Sequence, residues 1–118
     1  IWDNEEQKIK RIGEFDWGKA SEWFKETLKY EFFSEKGNVY EHFFKVEEGD
    51  VVMDVGASIG PFSYLLRDKK IQHLYAIEPS LPQIETLIKN IRTTPYTIIP
   101  NVILILTIFF GLKIMLKK

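Results

Sequence analysis

The stretch Val51-Val52-Met53-Asp54-Val55-Gly56-Ala57-Ser58-Ile59-Gly60-Pro61-Phe62-Ser63 decides the fold. Glu48-Gly49-Asp50 ahead of it is a turn signal. Val51 to Val55 is then short and nearly continuously apolar, the pattern of a strand buried on both faces of a parallel sheet. Gly56 to Gly60 reads as a loop, and Pro61 is tolerated in a first helical turn. Phe62, Leu65 and Leu66 continue at helical spacing, and Lys69-Lys70 place charge of the favourable sign at that helix's end.

Downstream, Leu74 to Ile77 reads as the next strand, closed by Glu78-Pro79. Ser80 to Gln83 has the form of a capping box. The helix behind it is expected to bury Leu81, Ile84, Ile88 and Ile91. Upstream, Trp17, Phe24, Leu28 and Phe32 form one stripe of an amphipathic helix between Asp16 and Phe33, broken by Ser34 to Asn38. Residues 1–15 are charged without a sustained period and read as a mobile or loosely docked lead-in. The order helix, strand, helix, strand, helix is an α/β pattern with right-handed crossovers between parallel strands.

Composition narrows the chemistry. The 118 residues suffice for one small domain. A net charge of −1 encodes no general pull toward nucleic acid. Charge is nonetheless uneven: residues 1–50 carry 8 Lys/Arg and 13 Asp/Glu, residues 51–118 carry 8 and 4. With no Cys, disulfides, thiol nucleophiles and Cys-ligated metals are excluded. His42 and His73 are the only imidazoles, so no metal site is expected and neither stands out as a base. The N-terminus shows no signal-peptide pattern, and the expected location is the cytoplasm. Eleven of the 17 aromatics precede residue 45, a concentration that suits core packing against a sheet, with pocket lining as the alternative.

Asp54 and Glu78 stand at the carboxyl ends of successive strands, 24 residues apart, with the glycine loop between. Ligands of doubly wound sheets bind outside such strand ends, where an acid on the second strand can accept ribose hydroxyls. The loop lacks the G-x-G-x-x-G dinucleotide pattern and the P-loop Gly-Lys-Ser/Thr. An acid just before the loop suits a ligand carrying ammonium and sulfonium charge, such as S-adenosylmethionine, better than a pyrophosphate.

The stretch 51–63 resembles the first motif of class I S-adenosylmethionine-dependent methyltransferases, and more narrowly the FkbM family. Ala76-Ile77-Glu78-Pro79-Ser80 matches that family's acidic second-strand motif, Leu87 to Asn90 is similar to the end of its following helix, and the Tyr40 to Phe44 lead-in is similar in kind. The resemblance implies a Rossmann-like parallel sheet and methyl transfer to an oxygen of a sugar or other small metabolite. It implies cofactor contacts at Asp54, Gly56, Ala57, Ser58, Gly60, Glu78 and Pro79. Glu78 would hold the ribose, Gly56, Ser58 and Gly60 would lie under the methionyl part, and Asp54 would orient the loop or the ammonium. As a strand-tip carboxylate, Glu78 is expected to bear little packing, so that Glu78→Ala leaves the fold intact.

From Val51 to Lys118 there are 68 residues, room for roughly two βαβ units of about 30. The sheet is therefore expected to stop after about three strands, without the family's substrate-bearing half. Three parts are read: an N-terminal helical segment over 1–44, the cofactor-binding portion over 45–110 and a basic tail over 111–118. The apolar run Val102 to Leu112 is rich in β-branched residues and reads as the third strand. An interfacial or membrane helix within 98–116 is the alternative, and with it a non-catalytic, membrane-associated interaction module. Leu106 to Lys118 is also readable as a frameshifted ending. A sheet of this order would leave Val51–Val55 as an unpaired apolar edge through which the chain self-associates.

Overall fold

A computed structural model of the protein describes residues 5–34, 39–41, 45–100 and 113–116. Helices α1 (Glu5–Glu14) and α2 (Glu22–Phe32) and a 3-10 turn at Val39–Glu41 precede strand β1 (Val51–Val55). Then follow α3 (Pro61–Tyr64), β2 (His73–Ile77), α4 (Leu81–Ile91), β3 (Tyr96–Ile99) and β4 (Lys113–Leu116). The sheet order is β3-β2-β1-β4, with the first three strands parallel and β4 antiparallel to β1. This is an α/β fold built on a three-stranded parallel sheet with an N-terminal helical segment.

The chain moves one strand at a time in a single direction from β1 to β3, so right-handed crossovers carry both intervening helices to one face. Accordingly α3 packs against α4 and α2 against α3. In-register residues Val52, Leu74 and Tyr96 form one row on that face, and Asp54, Ala76 and Ile98 the next. Phe62, Tyr64, Leu66, Leu87 and Ile91 cover them, and Phe15, Leu28, Phe32 and Phe33 close the cluster from the N-terminal side. The expectation that β1 is buried on both faces is corrected, because Val51 and Met53 are only half-buried.

The lead-in is also more ordered than its charge pattern implies. Helix α1 buries no residue of its own, yet Ile12 packs on the core, Arg11 pairs with Asp68 and the Tyr64 hydroxyl donates to the Arg11 carbonyl at 2.8 Å. Helix α2 starts at Glu22 rather than Asp16, because Ser21 caps it by accepting from the Phe24 amide at 3.2 Å. Before it, Asp16 accepts from the Gly18 amide at 2.8 Å and Gly18 takes φ +57°, which turns the chain out of helix. Helix α3 ends at Tyr64, and tightened bonds from Leu66 to Ser63 and from Lys69 to Leu66 carry the chain onward. Lys69 does not cap it; its ammonium donates to Glu41 at 2.8 Å and to the Val46 carbonyl at 3.3 Å.

In α4 the buried residues include Ile84, Leu87 and Ile91, whereas Leu81 is 67% exposed. Ser80 is the N-cap, but its side chain makes no capping bond, so the capping box does not form. The third strand is Tyr96–Ile99, one step earlier than expected; residues 102–112, to which it was assigned, lie outside the described residues. The expected free edge of β1 is corrected too, since β4 pairs with it, Asp54 opposite Lys113 and Val51 opposite Leu116. Four residues of the expected basic tail thus form a strand.

Two expectations follow. Proline at position 114 removes a strand donor opposite Met53 and opens the β1 edge, so light scattering of Ile114→Pro should show mass rising with concentration beyond the parent. Burial raises the Tyr64 phenol above its ordinary 10.0, partly opposed by Arg67. The folded state therefore holds this proton more tightly, and the contribution is complete below pH 10 and lost as pH rises through the raised value. Alkaline urea titrations should show a smaller fall in stability for Tyr64→Phe than for the parent.

Candidate functional site

The glycine loop is sewn to the second strand. The amides of Gly56 and Ala57 both donate to the Ile77 carbonyl, at 2.9 and 3.0 Å, so β1's exit is fixed to β2's tip. Ser58 follows at φ +57°, a left-handed position uncommon for a residue with a Cβ. Gly60 takes φ +92°, and a Cβ there would lie 2.7 Å from Leu87 Cδ1. Glycine at this position lets α4 close against the loop.

The two acids play different parts. Asp54 is fully buried and its Oδ2 accepts from the Ser63 hydroxyl at 2.6 Å, tying the end of β1 to α3 behind the loop. Glu78, 7% exposed, accepts the Ser58 amide at 2.8 Å on Oε1 and the Ser80 amide at 2.9 Å on Oε2. It therefore clasps the loop to the start of α4, and the expectation that it bears little structural weight is corrected. An ionised carboxylate offers about four lone-pair sites. Two are taken by backbone donors, which orients the group and leaves capacity for hydroxyl donors.

Two clefts border this clasp and share Phe24 of α2 as a wall. One, about 200 Å³, is floored by Gly56, Ala57 and Ser58 and faced by Leu28, Phe32 and Tyr40. The other, about 240 Å³, lies between Phe24, Ile59, Ser80, Pro82 and Gln83. Of the residues assigned from sequence, Gly56, Ala57 and Ser58 meet at the first cleft, with Glu78 held to Ser58 and half-buried Pro79 beside it. Asp54, Gly60, Glu78 and Pro79 line neither cleft; Glu78 reaches the first through its bond to the Ser58 amide and the second through its bond to the Ser80 amide. The Ser58 hydroxyl is buried without a hydrogen-bond partner among the described residues. A lone buried hydroxyl on the floor of a cleft fits a polar ligand group.

A third cleft, about 370 Å³, lies among Glu14, Asp16, Tyr64, Arg67 and Lys89, with Arg67 3.5 Å from Glu14 and Lys89 4.0 Å from Asp16. Its acids and bases largely satisfy one another. Sequence reasoning missed Asn90, whose amide donates to the Asp16 and Ile59 carbonyls and accepts from the Asp16 amide, each at 2.8 Å. It joins α4, the glycine loop and the N-terminal segment. Its signal was an amide three residues after Leu87 and next to Ile91, on the buried stripe of a helix.

His73 lies away from the clasp, its Nε2 2.7 Å from Thr97 Oγ1 and its ring against Tyr75; His42 is outside the described residues. Among the described residues no group of three His, Asp or Glu side chains could hold a metal ion, and no helix is long and apolar enough to cross a membrane. In comparisons with known proteins, no family model, curated protein or solved structure matches the chain.

Leaving the Ser58 and Ser80 amides without their acceptor should cost about 1–3 kcal/mol. Asn90→Ala removes the partner of one buried and two part-buried backbone groups and should cost a similar amount. Urea unfolding monitored by tryptophan fluorescence checks both, with Glu78→Ala and Asn90→Ala shifting the midpoint down and an exposed control, Glu85→Ala, leaving it in place.

Proposed function

We propose that the chain binds S-adenosylmethionine across the tips of β1 and β2, as the cofactor-binding portion of a methyltransferase. The observation that carries this reading is the Glu78 clasp, a pre-oriented carboxylate with spare acceptor capacity beside a glycine-floored cleft. Bound there, the cofactor supplies a methyl group on a cationic sulfur, open to in-line attack by an oxygen nucleophile. Glu78 accepts hydrogen bonds from the ribose hydroxyls on the lone pairs its backbone partners leave free. Gly56 and Ala57 let the backbone lie close under the methionyl part, and the Ser58 hydroxyl gains the polar partner it lacks.

Asp54 acts from behind by fixing Ser63 and hence the path from β1 into α3. The contribution of these residues is positioning. The acceptor class that goes with the reading is a hydroxyl on a sugar or other small metabolite, and the location is cytoplasmic.

Calorimetry with S-adenosylmethionine and S-adenosylhomocysteine tests it. Binding in the micromolar range with a rise in melting temperature is expected. Charge-assisted hydrogen bonds contribute about 1.5–3 kcal/mol, so Glu78→Ala should weaken binding roughly tenfold to a hundredfold. No heat and no thermal shift from the folded parent at saturating ligand would overturn the reading.

A further inference from the structure

Three elements of the fold end beside one cleft, away from the Glu78 clasp. Glu14 closes α1 and Asp16 follows it; Tyr64 closes α3 and Arg67 follows it; Lys89, Asn90, Arg92 and Thr93 lie at the end of α4. Helix α4 starts beside Glu78 and runs for 11 residues, so about 16 Å of helix separates its two ends. The cleft, about 370 Å³, exceeds the roughly 300 Å³ at which whole-ligand pockets begin. Its charges are sorted by wall. Both carboxylates, Glu14 and Asp16, come from the N-terminal segment. The cations Arg67, Lys89 and Arg92 come from α4 and the turns after α3 and α4.

The two walls match each other without closing the cleft. Arg67 stands 3.5 Å from Glu14 and Lys89 4.0 Å from Asp16, whereas charge-assisted hydrogen bonds close to about 2.7–2.9 Å. Asp16 gives its Oδ1 to the Gly18 amide and keeps Oδ2 on the Lys89 side. Arg67 is held over the Tyr64 ring, its guanidinium carbon 5.3 Å from the centroid. That contact fixes a planar fork whose donors match a carboxylate two at a time. Exposed Arg92 has no ion pair among the described residues. Lys89 and Arg92 sit at a helix C-terminus, where positive charge is stabilised, so this wall keeps its sign without a ligand. The side chains therefore carry one surplus positive charge. A simple anion meets the two carboxylates here, and a simple cation meets the three bases. A ligand carrying both signs, with one more negative charge than positive, answers both walls.

We propose that this seam between the N-terminal segment and α4 binds an acidic amino acid, its ammonium between Glu14 and Asp16 and its two carboxylates on Arg67 and Arg92. The ammonium stands opposite the two acids and the carboxylates opposite the bases, so every charge in the cleft keeps a partner of opposite sign. The ligand touches both the N-terminal segment and α4, and its binding stabilises the folded chain by holding the two together. The site does not depend on the reading at Glu78, from which the length of α4 separates it.

The test is calorimetric titration of the full chain with L-glutamate, glutarate and inorganic phosphate, on the parent, Arg92→Ala and Glu14→Gln. Both substituted residues are exposed, and thermal melting verifies that each variant is folded. Glutarate has both carboxylates of glutamate and lacks its ammonium. The parent should bind L-glutamate with saturable heat and a raised melting temperature, and glutarate about tenfold more weakly, the size of one charge-assisted bond. Arg92→Ala should weaken L-glutamate about tenfold, and Glu14→Gln should remove most of its advantage over glutarate. Glutarate or inorganic phosphate binding the parent as tightly as L-glutamate overturns the proposal, because the acidic wall then plays no part. Arg92→Ala binding L-glutamate like the parent overturns it too, as does a parent that gives no saturable heat with L-glutamate.

Discussion

The Glu78 carboxylate receives the Ser58 amide on one oxygen and the Ser80 amide on the other, so one side chain joins three elements. Backbone amides in a sharp loop and at a helix start have no partner within their own element, and burying them without one is costly. Placed at the end of β2, the carboxylate meets both needs at once. This allows a loop with a serine at positive φ and a helix whose cap residue makes no side-chain bond to lie together under cover. The same bonds that stabilise the loop fix the orientation of the carboxylate.

Behind this clasp, packing is set by the single direction of strand addition. Because β1, β2 and β3 follow one another across the sheet, α3 and α4 share a face, and the N-terminal segment adds its aromatic rings to that layer. The close approach of α4 to the loop needs Gly60, and the attachment of residues 15–20 to α4 needs Asn90 and Gly18, whose missing Cβ would lie 2.5 Å from Thr86 Oγ1. Site and core are therefore not separable. Residues that border the clefts belong to elements held by buried polar bonds and close backbone packing.

Legibility in the sequence followed the range of the forces involved. β1, β2 and α4 could be read closely because local periodicity, turn residues and a Pro-bearing helix start agree with what their neighbours require. The start of α2 and the length of α3 were misread because apolar spacing continues past the points where Gly18, Ser21 and the tightened turn after Tyr64 end regular helix. Helix α1 was invisible as a docked element, since its attachment depends on Arg11 meeting Asp68 and Tyr64, far along the chain. The positions of Asp54, the glycines and Glu78 at strand ends were legible, but the division of labour between the two acids was not. Ser63, the partner of Asp54, carries no mark of that role in the sequence.

The sequence by itself determined an α/β chain with a glycine loop after one strand and an acid at the tip of the next, because those features rest on neighbours a few residues apart. Tertiary structure alone decided that β4 closes the far side of β1, that Asp54 faces inward to Ser63, and that Glu78 clasps the loop. It also decided that Phe24 stands in the wall shared by both clefts, with Phe32 and Tyr40 on one of them, while Phe15, Trp17 and Phe33 pack ring against ring. Each of these depends on which groups, distant along the chain, share a buried space. An alternating pattern of apolar and polar residues carries no record of that, because many partners satisfy the same pattern and only the folded chain brings one within bonding distance.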